Sequence, residues 1–149
     1  MKIKTAIVVF LLTVCPIGGK ADNKSPLYTA EINKEQERLI DAIAYVESKG
    51  KADAVGDNGA AVGILQIHKV LVDDVNRILG EAKYSYEDRY DADKSRQMFV
   101  VYIGHYCPSW NPERAARMWN GGPKGHLKRS TLPYWQKVRR ILHDKKKCF

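Results

Sequence analysis

Residues 45–67 read YVESKGKADAVGDNGAAVGILQI: a glutamate closing an apolar helical run, a polar glycine-rich loop, then a strand-like apolar stretch carrying one glutamine. Upstream, Asn33 with Gln36 three residues later makes a cap-like start. Leu39, Ile40, Ile43, Ala44 and Val46 then recur at helical spacing until SKG stops the helix at Gly50. Glu47 stands four residues after Ile43 and seven after Ile40, so it shares the buried face. It also lies in the last turn of the helix. Desolvation and the negative end of the helix dipole both disfavour its ionised form there. A carboxyl that keeps its proton near neutral pH is what general acid catalysis needs.

Outward from this stretch the chain is helical. HKVLVDDVNRIL forms a second amphipathic helix. DADKSRQMFVVYIGHYC forms a third, capped by Asp91 or Asp93, with Met98, Tyr102 and Tyr106 on one face. NPERAARMWNGG forms a fourth, with Pro112 suited to its first turn, and a last helix runs from about Leu132 through Tyr134, Val138 and Ile141. Only AVGILQI is strand-like, so the expected fold is mostly α, a single domain with at most a short hairpin around Asp57 to Ile67. DNG is ordinary turn chemistry, with Gly59 supplying a positive φ.

The chain has 149 residues, enough for one core and one site. Residues 1–21 read as an export signal. Lys2 and Lys4 precede the apolar run TAIVVFLLTVCPI, which is too short to span a bilayer, and GGKA offers small residues before Asp22. A lipid anchor on Cys15 ranks second, because Val14 is a poor residue before such a cleavage. Residues 22–31 read as a linker, and the expected location is the periplasm or the extracellular space.

The whole chain carries a net charge of +8. Without residues 1–21 there remain 22 basic and 17 acidic residues, about +5, since Lys2, Lys4 and Lys20 leave and no acid does. Outside the cytoplasm such a balance favours anionic envelope polymers or lipid surfaces over nucleic acid. Cys107 and Cys148 would share an oxidising compartment, which permits a disulfide whose distance the sequence does not set. His68, His105, His126 and His143 are scattered and read as ordinary surface or core histidines, and no metal or other cofactor is expected.

Glu47 and Ser48 at a helix end, Gly63, Gln66 and Ile67 in GILQI, Trp119, Asn120, Gly121 and Gly122 in MWNGGP, and Tyr134, Lys137 and Val138 in TLPYWQKV form an ordered set. Together they resemble the lytic transglycosylase and goose-type lysozyme group, from about Leu39 to Val138. The resemblance implies a lysozyme-like domain over residues 32–149. It implies cleavage of the bond between N-acetylmuramic acid and N-acetylglucosamine in peptidoglycan, with anhydromuramyl products and Glu47 as both acid and base. It makes Gln66 a partner for an acetamido group, Gly63 a point where sugar approaches the backbone, Asn120 a substrate contact and Tyr134 a hydrogen-bond partner of Glu47. Ser48, Ile67, Trp119 and Gly121 complete the expected substrate-binding set. Trp119 departs from the tyrosine that many members carry.

A lysozyme-type hydrolase is the rival reading, with Asp57 or Asp88 as the second carboxylate. A non-catalytic glycan-binding component of envelope assembly is a third; an intact Glu47, Gln66 and Asn120 argue against it. The resemblance also brings secretion or conjugation machinery into view as a partner of a monomeric enzyme.

Overall fold

The computed structural model describes residues 32–144. The expected export signal, Cys15, the expected linker and Cys148 lie outside the described residues, and with Cys148 the disulfide considered for Cys107.

Among the described residues five α-helices carry the domain: α1 (Lys34–Ser48), α2 (Lys69–Leu79), α3 (Ala92–Tyr106), α4 (Pro112–Gly121) and α5 (Leu132–His143). Their starts follow the sequence chemistry. Asn33 and Gln36 exchange side-chain and backbone bonds in a capping box at 3.0 and 3.1 Å. Asp91, and not Asp93, caps α3 by accepting from the backbone N–H groups of Asp93 and Lys94. Asn111 caps α4 ahead of Pro112. At the end of α1, Lys49 itself takes the left-handed conformation (φ 58°) and Gly50 follows at φ 75°. Lys49 N–H and Gly50 N–H close on the carbonyls of Tyr45 and Ala44, which satisfies two of the orphan acceptors at the helix end.

The apolar faces meet in one core. Leu39, Ile40 and Ile43 of α1 are buried with Val72 and Val75 of α2, Met98 and Phe99 of α3, Ala115, Ala116 and Met118 of α4, and Val138 of α5. Helix α1 lies against α5 and α4, and α2 lies against α3. Burying such side chains contributes roughly 1.5–3 kcal/mol each; this is the term that holds the C-terminal end of α1 in place.

The hairpin is shorter than the sequence pattern suggests. Strand β1 (Val55–Gly56) pairs antiparallel with β2 (Ala61–Val62), Val55 opposite Val62 and Gly56 opposite Ala61. Asp57, Asn58 and Gly59 make the turn, all three at positive φ. The strand-like stretch AVGILQI does not continue as a strand. Gly63 (φ 77°) and Gln66 (φ 49°) turn the chain, and Ile67 returns to bridge Val62. Ile64, Leu65 and Ile67 are buried together, so their hydrophobicity reflects a tight turn plugged into the core and not the alternation of a sheet face.

A buried cation fastens this turn. Arg89, 4% exposed, sits in a 3-10 segment over Tyr86–Tyr90. Its Nη1 donates to the carbonyls of Ala60 and Ile67 at 3.2 and 3.1 Å and its Nε to that of Tyr86 at 2.6 Å. No carboxylate is needed, because three carbonyl dipoles solvate the guanidinium.

Candidate active site

Helix α1 delivers Glu47 to the edge of a groove of about 380 Å³ lined by Glu47, Asp57, Ala61, Gln66, His68, Trp119 and Asn120. Glu47 is half-buried, and the hydroxyl of Tyr134 on α5 donates to its Oε1 at 2.7 Å. Burial pushes the Glu47 pKa up from its ordinary value of 4.5. The Tyr134 hydrogen bond opposes that rise, the negative charge of Asp57 adds to it, and the positive fields of His68 and Lys137 oppose it. Burial wins, so the carboxyl holds its proton to higher pH than an exposed glutamate. The Tyr134 hydroxyl is in turn held well above the usual phenol range, by burial first and then by Glu47. It therefore stays a donor.

Glu47, Gln66, Trp119 and Asn120, distant in sequence, meet at this groove. Gln66 presents one face to it. Both amide N–H bonds are committed, Nε2 donating to the carbonyls of Ala54 at 3.2 Å and Gly63 at 3.0 Å, which leaves Oε1 as the acceptor for a ligand N–H. Gly56 makes room for that oxygen, since a Cβ there would stand 2.3 Å from it. Trp119 stacks at 4.9 Å on Phe99, with Tyr102 at its edge. One side of the indole is thus packed into the core, and the residue still reaches the groove.

Four expected substrate contacts have internal tasks. The Ser48 hydroxyl donates to the Ile64 carbonyl at 2.8 Å, with the Ala44 carbonyl at 3.2 Å, tying the end of α1 to the turn that carries Gln66. Gly63 does not open the backbone to a sugar. The Arg89 carbonyl closes on it, and a Cβ would lie 1.9 Å from that oxygen. Ile67 is core. Gly121 packs against Thr131, whose Cγ2 would be 2.7 Å from an added Cβ, and its carbonyl accepts from Lys128 Nζ at 2.7 Å.

The two candidate second carboxylates part company. Asp57 lines the groove, 71% of its side chain exposed, with Oδ2 3.1 Å from His68 Nε2. Asp88 is not brought to it. Its oxygens receive Lys94 Nζ at 2.6 Å and Ser85 N–H at 2.8 Å, bonds that hold its carboxyl below the usual range and cap the Tyr86–Tyr90 segment.

His68, an ordinary histidine by its sequence, also lines the groove. Its signal was position alone, directly after Gln66 and Ile67. Among the described residues no group of His, Cys, Asp and Glu is arranged to hold a metal ion.

A helical domain with a small hairpin and a half-buried, tyrosine-bound glutamate in a polar groove defines a lysozyme-like glycosidase class. The chain belongs to the transglycosylase SLT domain family, whose model matches residues 26–141, and is thus a lytic-transglycosylase-like enzyme acting on peptidoglycan. Solved structures share the fold. The lysozyme of Tapes japonica is 25% identical with a TM-score of 0.61, over 72% of this chain and 91% of that one. The inhibitor-bound lysozyme from Meretrix lusoria is 23% identical with a TM-score of 0.61, over 73% and 92%. A chain in the complex of Aeromonas hydrophila PliI with Meretrix lusoria lysozyme is 23% identical with a TM-score of 0.62, also over 73% and 92%. No curated protein matches.

Proposed function

We propose that the chain is an exported peptidoglycan lytic transglycosylase in which Glu47 alone supplies acid and base. Protonated Glu47 gives its proton to the glycosidic oxygen, the bond from C1 of N-acetylmuramic acid breaks, and the sugar's acetamido oxygen supports the cationic carbon. The Glu47 carboxylate then takes the proton of the 6-hydroxyl as O6 bonds to C1, closing the anhydro ring. The proton count is unchanged and no water enters.

The observation that carries this reading is the pairing of Glu47 with Tyr134. Burial keeps the acid protonated before cleavage, while the tyrosine donor supports the carboxylate after it. Gln66 Oε1 and Asn120 fit the N-acetyl groups flanking the bond.

One observation favours hydrolysis as a second reading: Asp57 lies in the same groove, and its charge strengthens the hold of Glu47 on its proton. There Asp57 would activate a water. Mass spectrometry of digested sacculi separates the two, because anhydromuramyl products are lighter than hydrolysed ones by one water and have no reducing end. Reducing products that disappear with Asp57→Ala would replace the transglycosylase reading with the lysozyme one.

A further inference from the structure

A cavity of about 320 Å³ lies toward the far end of α1 from Glu47 and shares no lining residue with the groove. Glu35, which lines it, precedes Glu47 by twelve residues on α1, about 18 Å along the axis at the α-helical rise. The apolar part of the lining comes from Leu39, Trp110, Trp135 and Leu142. The polar part comes from Glu35, Arg38, Arg139 and His143, all exposed. Two indoles beside charged groups of both signs suit a neutral ligand with an apolar face and a polar edge.

Trp110 adds a specific demand. Among the described residues two buried side-chain nitrogens lack a hydrogen-bond partner, Trp110 Nε1 and His126 Nδ1. An indole N–H is a donor only, and a buried donor without an acceptor is destabilising. An occupant that brings an acceptor oxygen relieves this. The chain's own basic stretch is the poorer candidate. Lys145, Lys146 and Lys147 follow α5, and they would add three cations to a lining that already sets Arg38 and Arg139 against one acid, Glu35. An N-acetyl sugar has the fitting chemistry: the C–H face of its ring for an indole, hydroxyls for the charged side chains, and an acetamido carbonyl for the Trp110 N–H. The cavity is at the small end of the roughly 300–1,000 Å³ of ligand pockets, which matches one sugar ring and not a run of them.

We propose that this cavity is a second glycan site, which holds an N-acetyl sugar of a peptidoglycan strand while the groove cuts at Glu47. The inference rests on the reading of the chain as a peptidoglycan-cleaving enzyme. A contact away from the groove keeps the enzyme on an insoluble polymer between cuts, because the second of two linked contacts forms at high effective concentration.

The chain has three tryptophans. Trp119 lines the groove, and Trp110 and Trp135 line the cavity, so their indole N–H signals in a proton–nitrogen correlation spectrum report the two sites separately. Titration with the trisaccharide of N-acetylglucosamine is expected to move Trp119 along one saturation curve and Trp110 and Trp135 together along another. Trp110→Phe keeps a ring in the cavity and removes the N–H. The Trp135 shift should then need about five- to tenfold more sugar, as the loss of one hydrogen bond gives. Movement of Trp119 alone overturns the second site, as does a Trp135 curve that the substitution leaves unchanged. Movement of Trp110 and Trp135 without Trp119 supports the second site and refutes the functional reading of the groove. If the sugar moves the two cavity signals only after residues 145–149 are removed, that segment is the occupant and the proposal fails.

Discussion

On the α1–α5 wall of the groove, Glu47 is half-buried and receives the Tyr134 hydroxyl at 2.7 Å; on the hairpin wall, Asp57 occupies an exposed turn 3.1 Å from His68. Both are carboxylates in one groove, but only Glu47 is buried enough for desolvation to push its pKa above the ordinary value of 4.5. The difference lies in what surrounds them. Helices packed on a common core strip water from the end of α1, whereas a two-residue hairpin leaves its turn wet. An acid is made by the wall that excludes solvent, and the other wall contributes charge and contacts.

The largest expected effect breaks the buried side. Glu47→Gln keeps the shape and the Tyr134 contact but removes the transferable proton, so cleavage of sacculi should fall by about 10²–10⁴-fold, the usual weight of general acid catalysis. Near-normal lysis by this variant would falsify the central role of Glu47. The same substitution has a thermal signature. The folded state binds the Glu47 proton more tightly than the unfolded chain. Between the ordinary value of 4.5 and the raised one the native protein therefore holds more protons, and its stability falls as pH rises. The melting temperature of Glu47→Gln relative to the parent should climb through that window and level off above it; a pH-independent difference would contradict the burial argument.

Next comes the hairpin wall. Gly63→Ala places a side chain at φ 77° and drives a Cβ to 1.9 Å from the Arg89 carbonyl, so the backbone must move. A loss of about 2–4 kcal/mol in urea unfolding is expected, with activity falling because Gln66 and His68 ride on the same turn. A variant as stable as the parent would show that the Arg89 backbone does not close on Gly63 as tightly as this.

Tyr134→Phe sharpens the comparison. The hydroxyl favours the carboxylate form of Glu47, so its removal should move the alkaline limb of the pH–rate profile to higher pH. Turnover should fall about tenfold as the acid loses its anchor. A downward move of that limb would mean that Tyr134 acts differently.

The smallest effect belongs to the exposed side. Asp57→Asn removes a charge that raises the Glu47 pKa, so the limb should move slightly down. The rate should change by about threefold or less, as expected for a solvent-screened charge. A larger loss would give Asp57 a part in the chemistry itself.

The five helices were legible from the sequence because periodicity and capping are local properties. Asn33 with Gln36, Asn111 before Pro112, and the spacing of Leu39, Ile40 and Ile43 each act within a few residues. The α1 position of Glu47 on a buried face is local in the same sense. The strand-like AVGILQI misled because an apolar run does not say whether it alternates across a sheet or folds into a plug, and the positive φ of Gly63 and Gln66 decides that here.

The ordered motifs of Glu47, Gln66, Asn120 and Tyr134 named the enzyme class, and composition with helical period named the mostly α fold. What each motif residue touches was settled only by packing. Gly63 accommodates the Arg89 carbonyl, Ser48 binds the Ile64 carbonyl, and Asp88 caps its own segment, while His68 enters the groove beside Asp57. A residue type constrains the bonds a side chain is able to make. Its partners come from segments far along the chain, and their distance exists only once the hydrophobic core has closed.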